Sequence, residues 1–226
     1  MKVGGRRSRL ARLLERVRVR GLRRTVRAAV QAYVYSNRRW YLFTRNLRPG
    51  GHAPPSPAFT YRAATLADLE SFAVFEPNRK RREFRAWLEG GAIVVAAFDG
   101  ETPVAFQCFD FAVPAGPPLS SLELGPSEIW SVDVQTLPTY RRHGAAASLM
   151  AYRDDTLTLR GIRAFVSSVQ DDNFPALSYV FGAMQAGDRV RLLSYRCLLG
   201  FRRIRIEEDA AAKLERRLSE RGAGSS

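Results

Sequence analysis

The stretch VQTLPTYRRHGAAASLM, residues 134–150, decides how this chain is read. A β-prone run ends at Pro138. A basic turn with one glycine follows, and then an Ala/Leu-rich helix begins. The order is a strand, a tight loop of bare amides, and a helix N-terminus. The first helical N–H groups have no carbonyl partner, and the helix dipole is positive at that end, so the arrangement suits an anion. Arg141, Arg142 and His143 add positive or donor groups at the same mouth.

Working outward, the remaining elements fall into a mixed order. Residues 59–63 read as a first strand, and Thr65 with Asp68 reads as a capping box that opens a helix to about Phe75. A second helix spans 79–89, with Phe84, Trp87 and Leu88 on its apolar side. Residues 92–98 and 104–111 flank an Asp99-Gly100 hairpin turn. A Pro/Gly loop over 114–126 leads to a strand over 129–134. The helix after the motif runs over 144–159, the next strand over 164–169, and a helix over 174–185 holds Pro175 in its first turn. Two further strands, near 190–197 and 201–206, precede a polar C-terminal helix and a GAGSS tail over 208–226.

The core of the motif, R-x-x-G-x-A at Arg141, Gly144 and Ala146, resembles the diphosphate loop of the GNAT acetyltransferases. The T-L-P-x-Y-R lead-in and the element order over residues 59–207 are similar to that family as well. The resemblance implies an α+β fold, an α/β/α sandwich whose mixed, mostly antiparallel sheet is splayed at a cofactor cleft. It also implies an acetyl-CoA-dependent N-acetyltransferase. Backbone groups at Val132 and Val134 would pair with the pantetheine, and the amides from Arg142 through His143, Gly144, Ala145 and Ala146 would hold the diphosphate. Gly144 would allow close approach of the backbone to phosphate oxygens. The family's N-x-x-A-x-x-Y element corresponds to Asn173, Ala176 and Tyr179. That assigns Asn173 to the pantetheine arm and Tyr179 to protonation of the departing thiolate, a task a phenol with pKa near 10 can perform. One departure stands out: Gly187 is followed by Asp188 where the family often has Gly-Phe.

The resemblance further implies that a carboxylate on the strand before the motif deprotonates the acceptor amine. Glu128 and Asp133 differ in parity, so a regular strand turns them to opposite faces. Glu128 is the preferred base, unless a bulge re-aims Asp133. Direct attack on the thioester requires no metal. The Cys and His content agrees, since Cys108 and Cys197 form no C-x-x-C pair and only His52 and His143 could add imidazoles.

The chain has 226 residues, 46% hydrophobic content and a net charge of +14. Residues 1–48 hold fifteen Lys/Arg and one acid, whereas 49–226 hold equal numbers of each sign. The basicity is therefore confined to an N-terminal extension, joined to the body by a Pro/Gly linker over 49–58. Leu10, Leu13, Leu14 and Val17 form one apolar stripe, and Val26, Ala29, Val30 and Tyr33 a second, with arginines opposite. That pattern fits an interfacial helix on an anionic membrane. Phosphate-directed nucleic-acid binding accounts for the charge but not the stripes. Packing on the body, a second subunit or an Arg-rich targeting role are the other readings. Trp40-Tyr41-Leu42-Phe43 reads as a strand or hook onto the body. No stretch reaches the ~20 apolar residues of a membrane span. With no secretory signal pattern and a cysteine usage that suits a reducing compartment, the expectation is a cytoplasmic protein, peripheral on the inner membrane face. The whole-chain pattern also resembles GNAT-like proteins with a basic leader, and that resemblance implies an amino-sugar or envelope-related amine as the acceptor. A non-catalytic CoA-binding or membrane-associated module on the same fold, or a nucleic-acid-associated acetyltransferase, are the alternatives.

Overall fold

The computed structural model describes residues 35–52, 56–75, 77–115, 118–199 and 201–223. The two amphipathic stripes, Leu10 to Val17 and Val26 to Tyr33, lie outside the described residues. One mixed sheet of eight strands has the order β2-β3-β4-β5-β6-β1-β7-β8. The strands are β1 (Tyr35–Asn46), β2 (Thr60–Ala63), β3 (Ile93–Asp99), β4 (Thr102–Asp110), β5 (Glu128–Thr136), β6 (Ala164–Gln170), β7 (Arg189–Leu198) and β8 (Phe201–Glu207). Among the described residues the α-helices are α1 (Pro77–Glu89), α2 (Ala145–Thr158), α3 (Phe174–Gly182) and α4 (Ala211–Ala223). Every neighbouring pair is antiparallel except β5 with β6.

Alternation along the strands sends side chains to two faces. On one face, Ile93, Val95, Ala105, Phe109, Ile129 and Phe165 pack under α2. Tyr41, Phe43, Val169 and Leu192 continue that face under α3 and α4. On the other face, Val94, Phe98, Phe106 and Cys108 meet Phe72, Phe84 and Trp87. Trp40, Leu42, Trp130 and Leu193 extend it under Leu119, Leu122 and Leu124. Cys108 and Cys197 are both buried and unbridged.

Two expectations are corrected. The boundary after residue 48 cuts through the fold, because β1 is an interior strand with β6 on one side and β7 on the other. Trp40, Tyr41, Leu42 and Phe43 are all buried, as a strand covered on both faces requires. The segment after Thr65 forms two short 3-10 turns, at Leu66–Asp68 and Ser71–Val74, rather than one helix. The capping contact exists, with the Thr65 amide donating to Asp68 Oδ2 at 2.7 Å. Arg62 also claims both oxygens of Asp68, at 2.8 and 2.6 Å. Phe72 meanwhile drops among Phe84, Phe98 and Phe106. Those anchors hold the turn where the pattern alone predicts a continuous helix.

The segment read as a linker is fastened where described. The Arg48 amide donates to Asp154 Oδ2 at 3.0 Å, and His52 Nε2 lies 2.7 Å from the same oxygen. The Ser56 amide donates to Ser148 Oγ. All three contacts reach α2.

Candidate active site

The parallel ladder between β5 and β6 holds only at Glu128–Trp130 against Ala164–Val166. Beyond Ser131 and Ser167 the two strands part. A cavity of about 490 Å³ fills the gap, with Val132, Asp133 and Val134 on one wall and Ser168, Asn173 and Tyr179 among the residues on the other. A second, more open cavity of about 1210 Å³ lies at the N-terminus of α2 and is lined by Arg141, Arg142, Gly144, Ala145 and Ala146. Val134, Met150, Ala176 and Tyr179 line both, so the two form one continuous cleft.

The loop at the mouth is held from below. Tyr140 Oη donates to Asp99 Oδ2 at 2.8 Å, and the Leu137 amide donates to the Val104 carbonyl. Arg142 has φ +69° and Gly144 has φ +82°. Two left-handed residues so close turn successive amides toward one side, a concavity that suits an anion. At the helix start, the amides of Gly144 to Ala147 have no preceding helical carbonyl to bond. No atom lies within 4 Å of a Cβ built on Gly144, so the left-handed backbone, not crowding by neighbours, favours glycine there. The Ala145 side chain is buried against the sheet, which leaves only its amide for a ligand. His143 Nδ1 lies 3.0 Å from the Arg141 carbonyl.

Asn173 caps α3, its Oδ1 accepting from the Ala176 amide at 3.4 Å, and it also lines the inner cavity. Tyr179, two turns on, is 58% exposed and stands where the two cavities meet.

A bulge re-aims Asp133, the alternative allowed for in the sequence, and position along β5 separates it from Glu128. Cys108 pairs with Asp133 and Phe109 with Ser131, so Val132 is an extra residue in β5. Such a bulge flips the parity of everything beyond it. Asp133 therefore shares a face with Cys108 and Trp130, on the α1 side, and it lines the cavity. Its Oδ1 accepts from the Val134 amide at 2.9 Å. Glu128, the preferred base from the sequence, lies away from the cleft. It sits at the closed end of the ladder opposite Ala164, lines neither cavity, and is engaged by Arg189 at 3.2 Å and the Gly125 amide at 2.9 Å.

Two cations missed by sequence reasoning line the inner cavity. Arg153, 2% exposed in the middle of α2, donates from Nε to Asp154 at 2.6 Å and from Nη1 to Gln107 at 3.3 Å. Arg45, on β1, donates to the Ala183 carbonyl at 2.9 Å. Burial lowers its pKa, with Arg153 adding to the effect. Burial alone raises the Asp154 carboxyl, but Arg153 beside it, with hydrogen bonds from Arg153, His52 and the Arg48 amide, holds it below the ordinary carboxylate value. Asp188, the departure from the family's Gly-Phe, accepts from the amides of Asn46 and Gln185 and lies 3.8 Å from Arg45. It fastens β1 to the turn after α3, which a phenylalanine there could not do. Among the described residues, no group of three or more His, Cys, Asp or Glu is placed to hold a metal ion.

A search among the curated proteins finds no match. Solved structures resemble the chain at low identity. One is the aminoglycoside acetyltransferase AAC(6')-Iy with a bisubstrate analogue (15% identity, 56% of this chain and 91% of that one, TM-score 0.43). A second is a ribosomal-protein-alanine N-acetyltransferase from Brucella melitensis biovar Abortus 2308 (15%, 57% and 93%, TM-score 0.44). A third is a conserved protein of unknown function from Staphylococcus epidermidis (9%, 91% and 69%, TM-score 0.48). The sequence itself matches the acetyltransferase (GNAT) family over residues 62–182, a stretch that begins after β1 and takes in the splayed strands, the amide loop and α3. The chain belongs to the GNAT acetyltransferase family.

Proposed function

We propose that this protein is an acetyl-CoA-dependent N-acetyltransferase acting on an amine by direct attack on the thioester. One observation carries the reading: the bare amides at the α2 N-terminus open onto a cleft continuous with the gap between β5 and β6. The amides from Arg142 to Ala146 hold the diphosphate, with Arg141 and His143 at the rim. Val132 and Val134 offer backbone groups to the pantetheine, and Asn173 flanks it.

The amine nitrogen attacks the thioester carbonyl carbon, the C–S bond breaks, and the thiolate takes a proton from the Tyr179 phenol. Asp133, on the α1 side of the gap, takes the proton the amine loses. This supports Asp133 over Glu128, which is bound to Arg189 outside the cleft. Positioning supplies most of the acceleration, since no covalent enzyme intermediate is needed. An envelope-related amine or amino-sugar is the acceptor class. The basic extension draws the protein to the cytoplasmic face of an anionic membrane. No helix among the described residues is long and apolar enough to cross a membrane.

Titration calorimetry of the full chain with acetyl-CoA and free CoA tests the reading, followed by turnover on a panel of amines. Absence of binding to either coenzyme ends it. Binding without turnover on any amine favours the non-catalytic CoA-binding module.

A further inference from the structure

β6 ends at Gln170, which pairs with Trp40. β1 carries five more residues in that direction, Tyr35 to Arg39, paired only with β7. At about 3.4 Å per residue, the β1-β7-β8 ribbon overhangs the end of β6 by roughly 17 Å. Because β5 and β6 are parallel and β1 runs against β6, this overhang lies at the end of the sheet where the cleft opens.

The tip of the overhang exposes three large apolar side chains together: Leu198 at 59%, Leu199 at 70% and Phe201 at 83%. Leu199 has φ +48°, a strained choice for leucine where a polar turn residue would cost less. Behind the tip, residues 189–206 contain six arginines and no carboxylate. Arg196 and Arg203 stand directly opposite each other on one face, an arrangement that destabilises a sheet unless an anion joins it. With Ser194, Arg205, Arg39 (paired with Asp171 at 2.8 Å) and Lys213 (paired with Glu207, also in the lining, at 3.0 Å), they line a concavity of about 430 Å³ in which Arg196, Arg203 and Arg205 supply the cations. Arg38 and Arg202 lie on the opposite face, both exposed. Residues 1–34, with eleven Lys/Arg and one acid, join the fold at Tyr35, beside Leu198.

We infer that the β7–β8 tip is a membrane-docking element for an anionic phospholipid bilayer. Leu198, Leu199 and Phe201 enter the interface, and Arg196, Arg203 and Arg205 take headgroup phosphates in the concavity. An apolar point collared by cations is what an interfacial anchor requires. Phosphate contact with a nucleic acid needs the arginines but not the leucines. Docking at this tip turns the open end of the cleft toward the bilayer. The inference extends the membrane reading of the basic extension to a folded second anchor, and it does not depend on acetyl transfer.

The test is vesicle flotation of the full chain with phosphatidylcholine alone and with added phosphatidylglycerol. The variant Leu199→Asp/Phe201→Glu changes only exposed residues, and Leu159→Glu, on an exposed leucine at the far end of α2, is the control. The expected result is binding that needs phosphatidylglycerol, is at least tenfold weaker in the tip variant, and is unchanged in the control. Equal binding by the tip variant overturns the tip while leaving the extension's role standing. No binding by the wild-type chain, or binding to duplex DNA with vesicles silent, overturns both. An acetyl-CoA thermal shift on the same preparations reports on the cleft separately, so failure of either reading is distinguishable from failure of the other.

Discussion

A chain that begins at Phe59 keeps the whole stretch matching the family yet loses β1, and we expect it not to fold. Trp40, Tyr41, Leu42 and Phe43 are each between 0% and 7% exposed. Burying a large apolar side chain is worth about 1.5–3 kcal/mol, so these four contribute roughly 6–12 kcal/mol. That is an upper range, because an unfolded chain already hides some apolar surface. It is still comparable with the 5–15 kcal/mol that typically separates folded from unfolded domains. Removal also leaves β6 and β7 as facing strand edges with unpaired amides and carbonyls. The measurement is far-UV circular dichroism on heating and in urea, comparing chains that start at Tyr35 and at Phe59. The first should melt cooperatively and the second should aggregate or show no transition. A cooperative melt of the shorter chain within a few degrees of the longer one refutes the reasoning.

Further outcomes follow from the cleft and the clasp beneath it. Gly144→Asp should abolish acetyl-CoA binding in calorimetry, because its carboxylate repels the diphosphate, and should cost about 1–2 kcal/mol in the melt, because open space surrounds the new side chain but the left-handed backbone strains it. Tyr179→Phe should lower kcat by roughly 100-fold or more with coenzyme affinity kept; an unchanged kcat removes Tyr179 as the acid. Asp133→Asn should depress kcat on a comparable scale, whereas Glu128→Gln should leave it near wild type, and the reverse pattern restores Glu128. Asp154→Asn should cost about 3–5 kcal/mol in urea melts, since it leaves Arg153 buried without its partner. The depressed carboxyl of Asp154 contributes stability above its unfolded pKa of about 3.9 and loses it as pH falls through the lower folded value. Stability of the wild-type chain should therefore fall in acid below about pH 4, and the Asn variant should fall less steeply.

Much of the body was legible because its elements obey simple periods. The strand over 129–134, the helix after Gly144 and the Asp99-Gly100 turn all carry local signals, and local signals survive in a sequence. What was hidden depended on distant partners. Trp40 to Phe43 announce a strand buried on both faces, but nothing in them names β6 and β7, more than 120 residues away, as neighbours. The exposed Asn37, Arg38 and Arg39 made the segment look peripheral, since half of it overhangs the sheet. The bulge at Val132 has no sequence signature, so strict alternation placed Asp133 on the wrong face. Arg153 and Asp154 carry no local signal of burial, because the groups that close over them, on β4 and in the segment around Arg48 and His52, are distant in the chain. The diphosphate loop shows the opposite case, because its chemistry resides in consecutive residues.

The place of β1 in the sheet also orders events during synthesis. A ribosome releases this strand first, yet Gln170 and Leu198, which flank it, leave the tunnel last of the sheet but for β8. Its apolar run must therefore wait, unpaired, until β6 and β7 have been made. Slowing elongation between β1 and β7 should lengthen the exposure of that segment and lower the yield of folded protein.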